Sequence, residues 1–382
     1  MPRSPRTADD PVENLLAPLI RRRRTAAGWS LLGWDSEPGV QLTIARGQSI
    51  ILIELEPFDS TRDCYARTRL FNVCARRYFQ GRAALAPEER RAVEAVVELV
   101  RGREGALPPM ERSSSARAGL VREIEVSRLL IAEGAGHYYI NPYVGCTIGC
   151  EFCYVAPRAD MSRVLKGLPS LPWGRYVDVK VNAAEVLRRE IRRHPAGIVR
   201  LSPILTDPYQ PLERRYRITR RCLEVLADAG GFKPVILTRA SRVCEDIELL
   251  RRFPAAAVGF SIPTDDDRVR QKFEPGADPV EERISVLRRC HEAGLKTFAV
   301  VQPMLPMDPE RLADLLAPHI DAVRVDRMHE MPRARRLYEA AAMTDAAQDA
   351  FFERTGRRLR RAFESRGVRY DELDDLAGIV EG

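Results

Sequence analysis

Residues 138–154 read YYINPYVGCTIGCEFCY, an apolar and aromatic run that ends in three cysteines within eight positions. The first part, from Tyr138 to Asn141, has the aromatic and β-branched density of a short buried strand. Cys146, Cys150 and Cys153 follow with the spacing C-x3-C-x2-C, and Gly145 and Gly149 each stand immediately before one of them. Thiolates this close together suit a soft metal: zinc, copper(I) or an iron–sulfur cluster. Glycine fits where the backbone must curl tightly and turn its N–H groups toward sulfur.

Downstream of this loop, short apolar strands alternate with amphipathic helices. Strand candidates begin at Val177 (VDVKV), Ile198 (IVRLSPIL), Pro234 (PVILTR), Ala256 (AAVGFSIP), Thr297 (TFAVVQPM) and Ala322 (AVRVDRM). Helices are expected near residues 183–194, 219–229, 245–252, 280–293 and 310–319, with starts at Asn182, Asp278-Pro279 and Asp308-Pro309 and a stop at Gly294. This alternation predicts an α/β fold of parallel strands joined by right-handed crossovers, with a partial or complete β/α barrel as the economical architecture and a partial (β/α)6 barrel over residues 126–330 as the specific expectation. Such folds place their chemistry in the loops at the carboxyl ends of the strands, where the cysteine triplet falls.

Upstream, Val40 to Phe58 reads as two strands joined around Arg46-Gly47-Gln48. A helix follows from Pro87 to Arg103, with Val93, Val96, Val97 and Val100 at helical spacing. Together they predict a small α+β unit over residues 26–110. Residues 1–25 are expected to be frayed, residues 111–125 to form a linker and residues 331–382 a helical tail, its helix covering roughly 345–366.

The length of 382 residues and a hydrophobic fraction of 45% allow more than one buried core. No run of about 18 apolar residues occurs, and the start MPRSPRTADD lacks the apolar segment of a secretory signal, so a cytoplasmic protein without membrane association is expected. Eight unevenly spaced cysteines do not make a disulfide framework, and a reducing compartment favours metal binding for a tight triplet. The net charge of +7 is carried by arginine, since lysine occurs only at 166, 180, 233, 272 and 296. Arginine runs at 21–24, 188–193, 214–221 and 357–361 could fork onto phosphates, or could be solvated helix faces balanced by glutamates. Charge alone selects neither.

Zinc could be completed by His137 or a distant ligand, but structural zinc sites usually pair two ligand motifs. No second pair is visible: Cys64 and Cys74 are ten apart, and Cys222, Cys244 and Cys290 are isolated. A [4Fe–4S] cluster normally takes four cysteines, so three would leave one iron open to a ligand. Three buried thiols acting only as small hydrophobes would require neither the spacing nor the glycines. Phe152 and Tyr154 flank the last cysteine and can cover one face of such a centre.

With an aromatic at Phe152, the C-x3-C-x2-C loop resembles the signature of the radical SAM superfamily. The resemblance implies a [4Fe–4S] cluster on Cys146, Cys150 and Cys153, with S-adenosylmethionine chelating the unique iron. It also implies an external one-electron reductant and a 5′-deoxyadenosyl radical that abstracts hydrogen from substrate. Within the superfamily, residues 136–328 resemble the spore photoproduct lyase branch. The segments that carry this are NPYVGCTIGCEFCYV, WGRYVDVKVN, LTDPYQPLERRYRITRRCLEVL, VILTRASRV, VGFSIPT, FEPGADPVEERI and VVQPMLP. The likeness implies Tyr154 as a cofactor contact, Arg239 in place of a lysine that meets the S-adenosylmethionine carboxylate, and Ser261 as a hydroxyl contact to the same group.

Two departures separate this chain from the lyases. Where they carry a hydrogen-donating cysteine this chain has LTDPYQ, with Leu205 and Thr206, and Phe152 stands where they have tyrosine. A lyase-type hydrogen relay, and thymine-dimer reversal with it, is not expected. Asp207, Tyr209, Gln210 and Glu213 either face substrate or build the loop that Pro208 and Pro211 turn. The expected function is a radical SAM enzyme acting on a large substrate, either nucleic acid (DNA or RNA) or a peptide. The alternatives are a ribosomal-peptide maturase whose N-terminal unit grips a leader by strand addition, and a non-catalytic, zinc-containing nucleic-acid-binding protein.

Overall fold

The computed structural model describes residues 10–36, 39–58, 64–78, 84–107, 119–134, 136–202, 206–329, 331–371 and 377–381. The chain divides into two compact units, the first made of residues 1–117, 131–135 and 155–171, the second of residues 118–130, 136–154 and 172–382.

The first unit is built on an antiparallel sheet in which Ser30–Asp35, Val40–Arg46, Ser49–Pro57 and Phe71–Arg77 pair in that order, with Ala66–Arg67 at the edge. The expected pair from Val40 closes at Arg46↔Ser49, where Gly47 supplies the positive φ of 60° that a two-residue hairpin turn requires. Leu42, Ile44, Ile51, Ile53, Leu55 and Val73 share one core with the valines of the helix Pro87–Arg103. Each such side chain, fully buried, stabilises the unit by about 1.5–3 kcal/mol.

The N-terminal segment differs from expectation. Residues 1–9 lie outside the described residues, but Pro11–Arg22 is a helix, not a frayed end. Asp10 caps it by accepting from Val12 N at 2.9 Å, and Val12, Leu15, Leu16 and Leu19 enter the core. Their spacing of three and four residues is a helical stripe hidden among polar neighbours.

The helix Val155–Leu165, which follows the last cysteine of the triplet, also belongs to this unit, and its Met161 and Leu165 join the same core. Arg158 on this helix is 2% exposed, with Nη1 2.9 Å from Glu54 Oε1 and Nε 3.4 Å from Glu56 Oε1. The Ser162 hydroxyl donates to the Ser36 carbonyl at 2.7 Å. A buried ion pair thus fixes the helix against the strand Ser49–Pro57.

The second unit has a sheet in which His137–Tyr139, Ile198–Leu201, Lys233–Thr238, Ala257–Ser261, Lys296–Val301, Ala322–Val325 and Arg369–Asp371 lie side by side in chain order, each parallel to the next. The helices Ile218–Ala229, Val280–Glu292 and Pro309–Leu316 occupy crossovers, as the alternation predicts. Gly259 is required by packing, because a Cβ there would lie 2.1 Å from the Phe298 ring of the adjacent strand.

Three expectations for this unit are corrected. Tyr176–Lys180 joins a separate sheet, parallel to Leu120–Ile124 and antiparallel to Tyr143–Val144, so part of the expected linker is a strand and VDVKV is not a neighbour of Ile198–Leu201. The C-terminal tail contains the helices Met331–Ala340 and Asp349–Glu364 but then returns as the strand Arg369–Asp371 at the end of the parallel sheet. Asn182 does not cap its helix; its amide instead pairs both ways with the Val126 backbone, Oδ1 accepting and Nδ2 donating at 2.9 Å each. Asp308, by contrast, caps as expected by accepting from Glu310 N and Arg311 N.

Replacing Arg158 by methionine, which keeps the volume but leaves Glu54 and Glu56 buried without their guanidinium, is expected to destabilise the first unit by about 3–5 kcal/mol. Two of the three tryptophans, Trp29 and Trp34, lie in that unit and Trp173 in the other, so urea unfolding followed by tryptophan fluorescence in a Trp173→Phe background reads the loss. An unchanged midpoint would refute the anchoring role.

Candidate metal centre

The loop that carries the cysteines leaves the two-residue strand Tyr143–Val144 and enters the helix at Val155. Its glycines are demanded by the path: Gly145 has φ 92° and Gly149 φ 65°, both in the left-handed region. A Cβ on Gly145 would stand 2.4 Å from the Tyr176 carbonyl oxygen, and a Cβ on Gly276 would stand 2.4 Å from that of Ile148. Backbone therefore presses on the loop from two sides. Cys146 and Cys150 are buried and Cys153 is half-buried.

Gln210 clips this loop with both ends of its amide. Oε1 accepts from Thr147 N at 3.0 Å, while Nε2 donates to the Gly145 carbonyl at 3.1 Å and to Thr206 Oγ1 at 2.6 Å. Thr206 Oγ1 passes its own proton to the same Gly145 carbonyl at 2.7 Å. Asp207 accepts from Thr238 Oγ1 at 2.5 Å, Tyr209 N at 2.9 Å and Arg239 N at 2.7 Å. Burial pushes the Asp207 carboxyl up from its ordinary range, against the hydrogen bond from Thr238. Tyr209 donates to Asp246 at 2.9 Å, and Glu213 accepts from the Tyr143 hydroxyl and from Thr219 N and Arg220 N, the latter two at 3.1 Å.

Asp207, Tyr209, Gln210 and Glu213 are all buried, and each is engaged in holding the loop's own architecture. The structural alternative is the one the geometry realises. Leu205, the other residue of the comparison with the lyases, lies outside the described residues.

Burial pushes the Cys146 thiol up to about 12, with the Asp207 charge adding to the rise, while the N–H groups of Asp207 and Ile148 aimed at its sulfur oppose it. Burial likewise raises the Cys150 thiol, and the Arg239 charge opposes that rise. N–H groups directed at sulfur are the partners that metal-bound thiolates and cluster sulfurs take. Among the described residues no three His, Cys, Asp or Glu side chains converge as ligands of one ion would. In a cluster of several irons each thiolate binds a different metal, so its ligands need not share a point. The soft donor set, the left-handed glycines and the N–H groups at Cys146 fit such a group.

Arg239 follows the strand Lys233–Thr238 and Ser261 ends Ala257–Ser261, so both stand at carboxyl ends of parallel strands. Arg239 Nη2 donates to the Gln302 carbonyl oxygen at 3.3 Å, and the Ser261 hydroxyl reaches the same oxygen at 3.4 Å. Two residues from different strands are thereby brought to one point. Arg239 also lies over Phe152 of the cysteine loop, with Cζ 5.7 Å from the ring centroid. Tyr154 is half-buried one position beyond Cys153.

Sequence reasoning missed Glu274, Arg283 and Gln302. Glu274 accepts from Arg239 Nε at 2.8 Å and from Arg283 Nη2 at 2.6 Å. Glu274 and Arg283 lie in FEPGADPVEERI among Asp278, Glu281 and Glu282, and Gln302 in VVQPMLP, where no local pattern singles out a partner.

Residues 140–316 match the family profile described as the radical SAM superfamily. Among curated proteins, an uncharacterized protein of Methanocaldococcus jannaschii is 28% identical over 169 residues, 44% of this chain and 61% of that one. An uncharacterized protein of Acidianus two-tailed virus is 30% identical over 199 residues, 49% of this chain and 65% of the relative. A radical SAM Nalpha-GlyT isomerase of Pseudomonas phage M6 is 29% identical over 168 residues, 44% of this chain and 33% of the relative. The chain thus spans less than two-thirds of the length of each. Among solved structures, a spore photoproduct lyase mutant superposes with a TM-score of 0.49 at 16% identity, covering 66% of this chain and 82% of that one. Streptococcus suis SuiB bound to its precursor peptide gives a TM-score of 0.40 at 14% identity, covering 83% of this chain and 58% of the other.

Removing the clip by Gln210→Ala leaves Thr147 N without its acceptor inside the fold, which is expected to cost about 1–3 kcal/mol. The local readout is hydrogen exchange: the amides of residues 147–150 should exchange faster than in the wild type while those of the parallel strands do not. Equal protection in the two proteins would show that the loop is held by other contacts.

Proposed function

We propose, on the premise that residues 140–316 are a radical SAM domain, that this chain is a radical SAM enzyme. The observation that carries the reading is the meeting of Arg239 and Ser261 on the Gln302 carbonyl oxygen, with Arg239 also lying over Phe152 of the cysteine loop. The relative from Pseudomonas phage M6, itself named a radical SAM enzyme, supports it. Parallel strands in chain order support a partial (β/α)6 barrel as the architecture around the site.

Cys146, Cys150 and Cys153 would hold a [4Fe–4S] cluster, and Tyr154, Arg239 and Ser261 would contact S-adenosylmethionine. When bound, this pair supplies reductive cleavage of the sulfonium carbon–sulfur bond, driven by an external one-electron donor, and a 5′-deoxyadenosyl radical for hydrogen abstraction. The protein's own part is placement and exclusion of water. The Arg239 fork and the Ser261 hydroxyl offer converging donors to a carboxylate. The N–H groups of Ile148 and Asp207 favour the thiolate form of Cys146 that would ligate the cluster, against the rise that burial imposes. The buried part of the loop keeps solvent from the Cys146 and Cys150 thiols.

The substrate in this reading is large, a nucleic acid or a peptide. Thr206, whose hydroxyl is committed to the Gly145 carbonyl, supplies no hydrogen-donating thiol, which supports a reaction other than thymine-dimer reversal. The arginine runs do not choose between the substrates. Within them, Arg220 pairs with Glu224 and Asp246 and Arg358 with Glu310, so part of their charge is already answered within the chain.

The test is anaerobic reconstitution with iron and sulfide, reduction, and assay for 5′-deoxyadenosine. Alanine at any of Cys146, Cys150 or Cys153 is expected to abolish cluster absorbance and nucleoside release, whereas Cys222→Ala and Cys290→Ala keep both. Since burial holds the Cys146 thiol up at about 12, metal must displace a proton to bind, and reconstitution should be more complete at pH 8.5 than at pH 6.5. A protein that takes up no iron and sulfide under these conditions would overturn the reading. Deuterium passing from a labelled DNA, RNA or peptide into the nucleoside would identify the substrate class.

A further inference from the structure

We infer that Arg283 is a positioning residue that registers two of the proposed cofactor contacts, Arg239 and Ser261, from a single guanidinium. The inference rests on the reading that these two residues meet the carboxylate of S-adenosylmethionine. Arg283 Nη1 donates to the Ser261 carbonyl at 2.6 Å, and Nη2 donates to Glu274 Oε1 at 2.6 Å. The other Glu274 oxygen accepts from Arg239 Nε at 2.8 Å. One branch therefore fixes the backbone of one contact, and the other fixes the side chain of the second.

The arrangement has marks of positioning beyond packing. Arg283 and Glu274 are both 0% exposed, and Arg283 Nε has no partner among the described residues. A buried ion pair with an unsatisfied donor is a costly way to fill space, because well-packed apolar side chains of similar volume are commonly as stable or more so. What the pair adds is direction. Glu274 holds the Nε edge of Arg239, so the guanidinium cannot swing away, and Nη2 stays at the Gln302 carbonyl where the Ser261 hydroxyl also points.

The helix that carries Arg283 is itself tied to the strand end it serves. Asp278, just before Val280–Glu292, accepts from Ser241 N at 2.5 Å and donates its own N–H to the Arg239 carbonyl at 3.3 Å. Lysine could not replace this residue, since a single ammonium does not span two acceptors in a fixed fork. Within the trio of Arg239, Glu274 and Arg283, two guanidiniums share the one carboxylate, so the position of each depends on the other.

The experiment measures, on reconstituted protein, iron content and the equilibrium affinities for S-adenosylmethionine and for 5′-deoxyadenosine, which has no carboxylate. The variants are Arg283→Lys, the double replacement Glu274→Leu with Arg283→Met, and Arg239→Ala. Arg283→Lys and the double variant should each weaken S-adenosylmethionine binding about tenfold, the scale of one misaligned charge-assisted hydrogen bond, with iron content and 5′-deoxyadenosine affinity unchanged. If both variants bind S-adenosylmethionine as the wild type does while Arg239→Ala does not, the inference is overturned and the reading of Arg239 survives. If Arg239→Ala itself binds normally, that reading fails first. Should the double variant not fold, Arg283→Lys decides alone, and an equal loss for both ligands or a loss of iron in it would show a merely structural role.

Discussion

The primary amide of Gln210 is the contact on which the site depends. The segment from Gly145 to Tyr154 pairs with no strand, so nothing in regular secondary structure sets where its thiols stand. Gln210 uses a donor and an acceptor at once, on Gly145 and Thr147, on either side of Cys146. Because it is fully buried, those hydrogen bonds face little competition from water, and losing either would leave a polar group stranded. Backbone wedges at Gly145 and Gly276 complete the restraint. Glycine is present because side chains would collide with carbonyl oxygens.

The loop from Asp207 to Glu213 is scaffold for the cysteine loop, a role that no local pattern announces. Its polar residues could have faced a substrate with equal plausibility, since Asp, Tyr, Gln and Glu are the residue types of active sites and of buried networks alike. What separates the two is partnership across the chain. Gln210 meets Thr147 from 63 positions away, and Glu213 meets Tyr143 from 70. By contrast, the strand and helix alternation and the cysteine spacing are local signals with strong physical causes, and the parallel sheet follows them closely. The N-terminal helix was written in the spacing of Val12, Leu15, Leu16 and Leu19 but diluted by its charged neighbours. The strand Arg369–Asp371 carries no apolar alternation, so only its place beside Ala322–Val325 reveals it. Asn182 and Asp278 show how a good capping residue can be claimed by a distant backbone group, Val126 in one case and Ser241 in the other.

Two buried charge clusters, one in each unit, resolve a surplus differently. In the first unit one guanidinium, Arg158, stands against two carboxylates, and its task is complete once the helix Val155–Leu165 is fixed to its strand. In the second, two guanidiniums share the carboxylate of Glu274. Arginine does not give up its proton in a protein, so this surplus cannot be removed by titration. Around Arg239 the Asp207 carboxyl and the Cys150 and Cys153 thiols also face this charge. Arg283 is sealed at 0% exposure, whereas Arg239 keeps 13% of its side chain accessible, so of the two it is Arg239 that a solute can reach. In the proposed reading the Arg239 fork meets a carboxylate, and it is aimed by Glu274 and Arg283, which that ligand never touches.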